Sequence, residues 1–299
     1  MVEGVSMSLK PILRFAPSPN GYLHLGHAYS ALMTHGLAQA IGGTMLLRIE
    51  DIDLARSKPE FVEAIFEDLR WLGLDWPEPV MFQSHRFAAY AQAFETLVQM
   101  GLLYPCFCSR TEVAEGAVGT DPDGAPRYGG KCRAILREVA LGRIAAGEKA
   151  AWRLEMTKAL SVHDPALSCL EHELFLNVDE RHLTLDERTL TTRTLHPEDW
   201  GDAVIVRKDT PTSYHLSVVV DDAAQSVSHV TRGRDLYRAT DLQVLLQKLL
   251  DLPTPIYAHH ELIRDEGDKK LSKSKGAPSL RSLREMGMTA AEVRARVGF

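Results

Sequence analysis

Residues 12–32 read ILRFAPSPNGYLHLGHAYSAL, and the order of residue types in this stretch decides the fold. KPILRFA (10–16) has the short apolar character of a buried strand. PSPNGYLHLGH (17–27) is broken by Pro and Gly into a loop. AYSALMTHGLAQAI (28–41) then carries Leu32, Leu37 and Ile41 at helical spacing, and Gly42–Gly43 stops it. Strand, loop and helix in this order form the opening of a parallel sheet. Such sheets bind ligands beyond the carboxyl ends of their strands, where a helix N-terminus offers unpaired N–H groups to an anion. His24 and His27 stand at that junction, three apart. Gly26 between them lets a flat or phosphorylated ligand approach the backbone. Two imidazoles there could donate to a phosphate as charge grows on it.

The pattern continues outward. TMLLRIE (44–50) reads as the next buried strand, with DID at its carboxyl end. Lys58–Leu72 and Phe87–Met100 read as helices closed by Gly73 and Gly101. This β-α-β-α order predicts an α/β fold, a Rossmann-like parallel sheet with crossover helices. From Cys106 to about Thr194 the chain reads as irregular, with GTDPDGAPRYGG (119–130) as a loop, and an inserted subdomain is expected there. GDAVIVRKD and SYHLSVVVDD look sheet-like, TDLQVLLQKLLDL is helical, and SLRSLREMG and TAAEVRARVGF are short helices. The expected division is 1–105 and 195–260 as two halves of the sheet domain, 106–194 as the insertion, and 261–299 as a terminal loop with helices.

The chain has 299 residues, of which 45% are hydrophobic and 25% charged, with a net charge of −6. It is not globally basic, so any nucleic acid must meet a local patch. No apolar run reaches the ~20 residues of a membrane helix, and MVEGVSMSLKPIL lacks a signal-peptide core. A cytoplasmic monomer without membrane contact is the expectation. The tail carries DKKLSKSKGAPS (268–279), a cationic, hydroxyl-rich loop suited to a polyphosphate, and 25 residues follow Ser274.

Cys106, Cys108 and Cys132 lie within 27 residues, in the pattern C-x-C-x19-Y-x3-C. Three thiolates are good ligands for Zn2+, and a closed tetrahedral site requires a fourth donor. Spacing leaves Tyr128, a water or a distant side chain for that place.

HLGH at the first strand–helix junction together with the late KKLSKS resembles the paired signature of class I aminoacyl-tRNA synthetases. RFAPSPNGYLHLGHAYSAL, RIEDID (48–53), QSHRFAAY (83–90), YHLSVVVDD (214–222) and VTRGRDLYRATDLQ (230–243) narrow the resemblance to the glutamyl/glutaminyl branch, from about Arg14 to Ser274. The resemblance implies that His24, His27, Lys270 and Lys273 are catalytic. It places ATP against His24, Gly26, His27 and Lys273, with Mg2+ accompanying the nucleotide. It implies a glutamate pocket of Arg14, Phe15, Ala16, Pro17, Ser18, Glu50, Tyr214 and Arg232. Arg14 would face the side-chain carboxylate and Glu50 the α-ammonium. The cysteine pattern marks one subgroup of the family, which implies a structural zinc held by Cys106, Cys108, Tyr128 and Cys132.

A discriminating glutamyl-tRNA synthetase continues into a helical anticodon-binding domain, for which the 25 residues after Ser274 have no room. Truncated homologues of this kind are the glutamyl-queuosine tRNA(Asp) synthetases. They activate L-glutamate with ATP and place it on queuosine at the wobble position of tRNA(Asp). That ligase activity, with tRNA(Asp) as partner, is the expectation here. A short synthetase charging tRNA(Glu), a non-catalytic tRNA-binding paralogue and a nucleotidylyltransferase are the alternatives. Residues 159–199 carry no motif of the family. Arg281, Arg284, Arg294 and Arg296, with Lys269 to Lys275, are candidates for phosphate contacts.

Overall fold

A computed structural model of the protein describes residues 10–162, 167–173, 175–177, 182–184, 190–263 and 278–299. The opening stretch folds as its pattern requires. β1 (Ile12–Phe15), α1 (Leu25–Ala40), β2 (Thr44–Ile49), α2 (Pro59–Trp71) and β3 (Met81–Phe82) alternate, and the three strands pair in parallel in the order β1-β2-β3. Gly42 ends α1 with φ +64°. At Gly43 a Cβ would lie 2.6 Å from the Pro11 carbonyl oxygen, so the return into β2 tolerates no side chain.

After α3 (Phe87–Gln99) come β4 (Leu103–Cys106), α4 (Arg110–Glu115), α5 (Arg137–Ala145), β5 (Ala151–Leu154) and α6 (Met156–Ser161). β6 (Ser168–His172), β7 (Phe175–Asn177), β8 (His182–Thr184), β9 (Leu190–Thr194) and β10 (Val204–Val206) follow. β4, β5 and β10 form an antiparallel sheet in the order β10-β5-β4, which carries the cysteine region. The last third holds α7 (Tyr214–Ala224), β11 (His229–Gly233), α8 (Ala239–Leu249), β12 (Ile256–His260), α9 (Leu280–Glu285) and α10 (Ala290–Arg296).

β11, β12 and β6 run parallel, with β9 antiparallel at the edge. This ribbon meets β1 where the Ser228 N–H donates to the Ile12 carbonyl (2.9 Å) and the Ile12 N–H donates to Ser228 Oγ (2.8 Å). β6 and β9 fall within 106–194, so that stretch contributes to this ribbon as well as to the cysteine-bearing sheet.

Two readings differ from the structure. Residues 106–194 read as irregular, yet they hold α4, α5, α6 and β5 to β9. SYHLSVVVDD looks sheet-like, yet Tyr214–Ala224 is a helix. Ser213 is extended and its Oγ accepts the Leu216 N–H, which caps the first turn. The helix penalty of three valines is under about 1 kcal/mol each. Burial of Leu216, Val218 and Val219 in the core outweighs it.

The terminal helices are part of the first core. Leu280, Leu283, Val293, Val297 and Phe299 pack in one apolar cluster with Leu13, Leu32 and Ile65. Arg294 reaches the Leu72 carbonyl (2.9 Å) and Arg284 reaches Glu67 (2.9 Å) on and beside α2.

Candidate active site

His24 is the N-cap of α1. Its Nδ1 accepts the Gly26 N–H (3.1 Å), and His27 Nδ1 accepts the His24 N–H (3.2 Å). The two rings lie 3.9 Å apart. Because each Nδ1 accepts from the backbone, the neutral rings carry their proton on Nε2. The 16-residue helix adds its positive end at the same place.

These histidines line a cavity of about 590 Å³ at the carboxyl ends of the parallel strands. The structure brings every described residue of the expected ATP and glutamate sites to this cavity: Arg14, Phe15, Ala16, Pro17, Ser18, His24, Gly26, His27, Glu50, Tyr214 and Arg232. Lys270 and Lys273 lie outside the described residues. The chain on either side of them is placed, however. Ile263 lines the cavity, Ser279 bridges to His24, and the Leu280 N–H donates to the Leu23 carbonyl at 2.7 Å.

Below the cavity runs a buried ionic network. Arg14 Nε donates to Asp222 Oδ1 (3.0 Å). Arg48 donates to the same oxygen (2.7 Å) and to Glu50 Oε1 (3.2 Å). Burial works against charge on Arg48, but Asp222, Glu50 and Asp221 outweigh it and raise its pKa above the ordinary value. Burial also opposes the Asp222 carboxylate, and Arg14 and Arg48 outweigh it, holding Asp222 below the usual range. At Glu50 burial wins over Arg48 and Arg14, so its carboxyl is pushed up. A buried carboxyl of this kind gains from an ammonium placed against it.

Arg232 is 5% exposed and is held by four neutral acceptors: His259 Nε2 (3.3 Å), Tyr214 Oη (3.5 Å), Gln243 Oε1 (2.6 Å) and Thr240 Oγ1 (2.6 Å). No carboxylate pairs with it among the described residues. Buried cations are ordinarily paired, so an unpaired one on a cavity wall suits an anionic ligand.

Sequence reasoning missed the partners of these groups. Arg48 inside an apolar strand and the acid pair ending VVVDD were the available signals for a buried ion pair. His260 also lines the cavity, and its Nε2 lies 3.1 Å from Ser30 Oγ.

A second cavity, about 870 Å³, shares Ser18, Asn20, Glu50 and Tyr214 with the first and extends to Cys108 and Tyr128. The cysteine cluster therefore borders this second cavity. The sulfurs of Cys106, Cys108 and Cys132 lie within 4.8 Å of one another, all buried. Cys108 Sγ is 3.5 Å from Cys132 Sγ and 3.5 Å from Tyr128 Oη. A tetrahedral zinc with Zn–S about 2.3 Å and Zn–O about 2.0 Å needs edges of about 3.8 and 3.5 Å, so these four side chains fit it. Burial and the cysteines push the Tyr128 phenol up. Ligation by Tyr128 thus needs a cation strong enough to displace its proton. Arg153, 4.0 Å over the ring, favours the phenolate, and the Cys132 N–H already donates to its oxygen at 2.7 Å.

Three of the tail arginines have partners within the fold. Arg281 donates to Glu285 and Tyr22, Arg284 to Glu67, and Arg294 to a backbone carbonyl. Among the described residues no helix is long and apolar enough to cross a membrane.

The family described as tRNA synthetases class I (E and Q), catalytic domain, matches residues 12–294. A glutamyl-Q tRNA(Asp) synthetase of Rhodobacter capsulatus is 43% identical over 301 residues, 96% of this chain and 100% of the relative. The glutamate–tRNA ligase of Aquifex aeolicus is 38% identical over 275 residues, 92% of this chain and 54% of the ligase. The crystal structure of a glutamate–tRNA synthetase from Elizabethkingia anophelis superposes with a TM-score of 0.68 at 25% identity, covering 93% of this chain and 54% of that one. The chain thus spans the whole length of the first relative and about half the length of the other two.

Proposed function

The chain belongs to the catalytic-domain family of class I tRNA synthetases for glutamate and glutamine, and from that membership we propose that it activates L-glutamate with ATP and transfers the glutamyl group to queuosine at the wobble position of tRNA(Asp). It is a ligase of the aminoacyl-tRNA synthetase type. The observation that carries the substrate is the charge pattern of one cavity: Arg14 and Arg232 on its wall, Glu50 beside them, and Arg232 without a carboxylate partner among the described residues. This set complements a molecule with two carboxylates and one ammonium. A neutral amide side chain would leave an arginine uncompensated, which disfavours glutamine.

In this reading the glutamate α-carboxylate attacks the ATP α-phosphorus. A carboxyl-oxygen–phosphorus bond forms, the bond to the β-phosphate oxygen breaks, and pyrophosphate leaves. His24 and His27 donate through Nε2 to the charge growing on the phosphate, with the α1 N-terminus behind them. Lys273 would add its ammonium from the chain between Ile263 and Ser279. A queuosine hydroxyl then attacks the activated carbonyl, and AMP departs. Mg2+ would travel with ATP, and a zinc held by Cys106, Cys108, Tyr128 and Cys132 would brace the wall of the second cavity. The identity of 43% to the Rhodobacter capsulatus relative supports queuosine as the acceptor. The likeness to glutamate–tRNA ligases supports a second reading, transfer to the 3′ end of tRNA(Glu).

The test is glutamate-dependent ATP–pyrophosphate exchange without tRNA, then transfer of labelled glutamate to tRNA(Asp) with and without queuosine. Transfer to the queuosine form alone is expected. Charging of tRNA(Glu) as an ester cleaved by mild base would establish the second reading. No exchange would remove both.

A further inference from the structure

Arg232 has five N–H donors. Four bonds are made, one of them a long contact to Tyr214 at 3.5 Å, so one Nη2 hydrogen and that yielding contact remain for a ligand. Behind the guanidinium lies a chain of groups with one consistent proton arrangement. Arg232 Nε donates to His259 Nε2, so the neutral His259 ring carries its proton on Nδ1. That nitrogen faces Glu171 Oε1 at 2.8 Å. The three residues sit on three adjacent strands, β6, β12 and β11, in parallel register.

We propose that His259 is a positioning residue for substrate recognition: it separates the carboxylate of Glu171 from Arg232, fixing the guanidinium through a neutral acceptor and leaving its charge uncompensated for the substrate carboxylate. The proposal rests on the glutamate reading above. A carboxylate in direct contact would fix Arg232 equally well and would neutralise the charge that the ligand needs. An imidazole accepts the Nε hydrogen and passes the attraction of Glu171 on at longer range. The rest of the cradle follows the same rule, since Thr240, Gln243 and Tyr214 are all uncharged acceptors. The charged and titratable groups facing His259 are Glu171 from β6, Arg193 from β9, Arg232 from β11, and the Tyr237 and Tyr257 rings. Arg193 lies 3.7 Å from Glu171 and holds that carboxylate on its own side of the imidazole.

The experiment is glutamate-dependent ATP–pyrophosphate exchange by the full chain, with KM for glutamate and for ATP measured separately. His259→Leu removes the acceptor and is expected to raise the glutamate KM about tenfold while ATP KM stays within about twofold. His259→Asn keeps an acceptor and is expected to recover part of the loss. Gln243→Glu sets a carboxylate against Nη1 and is expected to raise the glutamate KM about 100-fold with no fall in melting temperature. A merely structural His259 predicts the opposite order: lower melting temperatures, equal changes in both KM values, and a harmless Gln243→Glu. That result overturns the proposal. If His259→Leu does not fold, His259→Asn and Gln243→Glu carry the comparison. Wild-type exchange with glutamate but unchanged glutamate KM in the variants defeats this inference alone. Wild-type protein inactive with glutamate defeats the substrate reading, and the inference with it.

Discussion

Asp221 and Asp222 are neighbours on α7, yet their carboxylates serve separate sets of donors. Asp221 accepts from Gln83 (2.8 Å), Arg86 (2.6 Å) and Tyr90 (2.8 Å). Asp222 accepts from Arg14 and Arg48 beneath the cavity. Asp222→Asn leaves two buried guanidiniums short of their anion and is expected to cost about 3–5 kcal/mol of stability along with glutamate use. Asp221→Asn is expected to destabilise too, with more exchange activity retained per folded molecule. Denaturant unfolding and exchange assays on both variants check the split, and equal activity losses would refute it.

Arg14→Ala is expected to raise the glutamate KM by about 100-fold, and the ATP KM by far less. It also removes one of the two cations holding Asp222, so the melting temperature should fall. Parallel KM changes for both substrates would mean that Arg14 faces something other than the amino acid.

Lys273→Ala is expected to slow exchange by about 10²-fold or more. Lys273 itself lies outside the described residues, and the placing of its flanks at Ile263 and Ser279 supports the expectation. Near wild-type exchange would exclude a phosphate role.

Purified protein is expected to carry about one zinc per chain, by elemental analysis. Cys108→Ser should abolish that content, whereas Tyr128→Phe should keep three thiolates and weaken retention against a chelator. Full retention by Tyr128→Phe would assign the fourth position to another donor.

Burial and Arg232, opposed by Glu171, push His259 from 6.5 down to about 4. Between those values the unfolded chain binds the proton and the folded chain does not. Stability from this group is therefore complete above about pH 6.5 and is lost as pH falls toward 4, by about 3 kcal/mol in all. Asp68 runs the other way. Burial raises its carboxyl from 3.8 to about 6, so its ionisation costs stability as pH rises through 6. Asp68→Asn should therefore gain about 1 kcal/mol on wild type between pH 5 and pH 8. Unfolding curves across pH 4.5–8 read both effects, and a flat difference for Asp68→Asn would contradict the second.

The cavity was legible because its residues sit where strands end. RFAPS runs off the end of β1, RIE closes β2, and HLGH opens α1, so position along the chain already implies position at the sheet edge. The cysteine pattern was legible for a similar reason, since its members lie close in sequence. The ion network was not. Arg14 and Asp222 are 208 positions apart, and nothing local says that they meet. α7 misled because β-branched residues favour strands locally, while its helix depends on a Ser213 cap and on burial against the rest of the core. His259 was illegible because its role lies in what it keeps apart, which depends on strand order rather than on spacing.

The bridge between Ser279 and His24, and the packing of Phe299 with the core of β1 and α1, bear on how the protein is made. A ribosome delivers β1 and α1 well before the helices that complete their apolar face. The nascent first half therefore waits with Leu13 and Leu32 incompletely covered until α9 and α10 have been made. Exchange activity should therefore appear only once α9 and α10 have joined the core of β1 and α1.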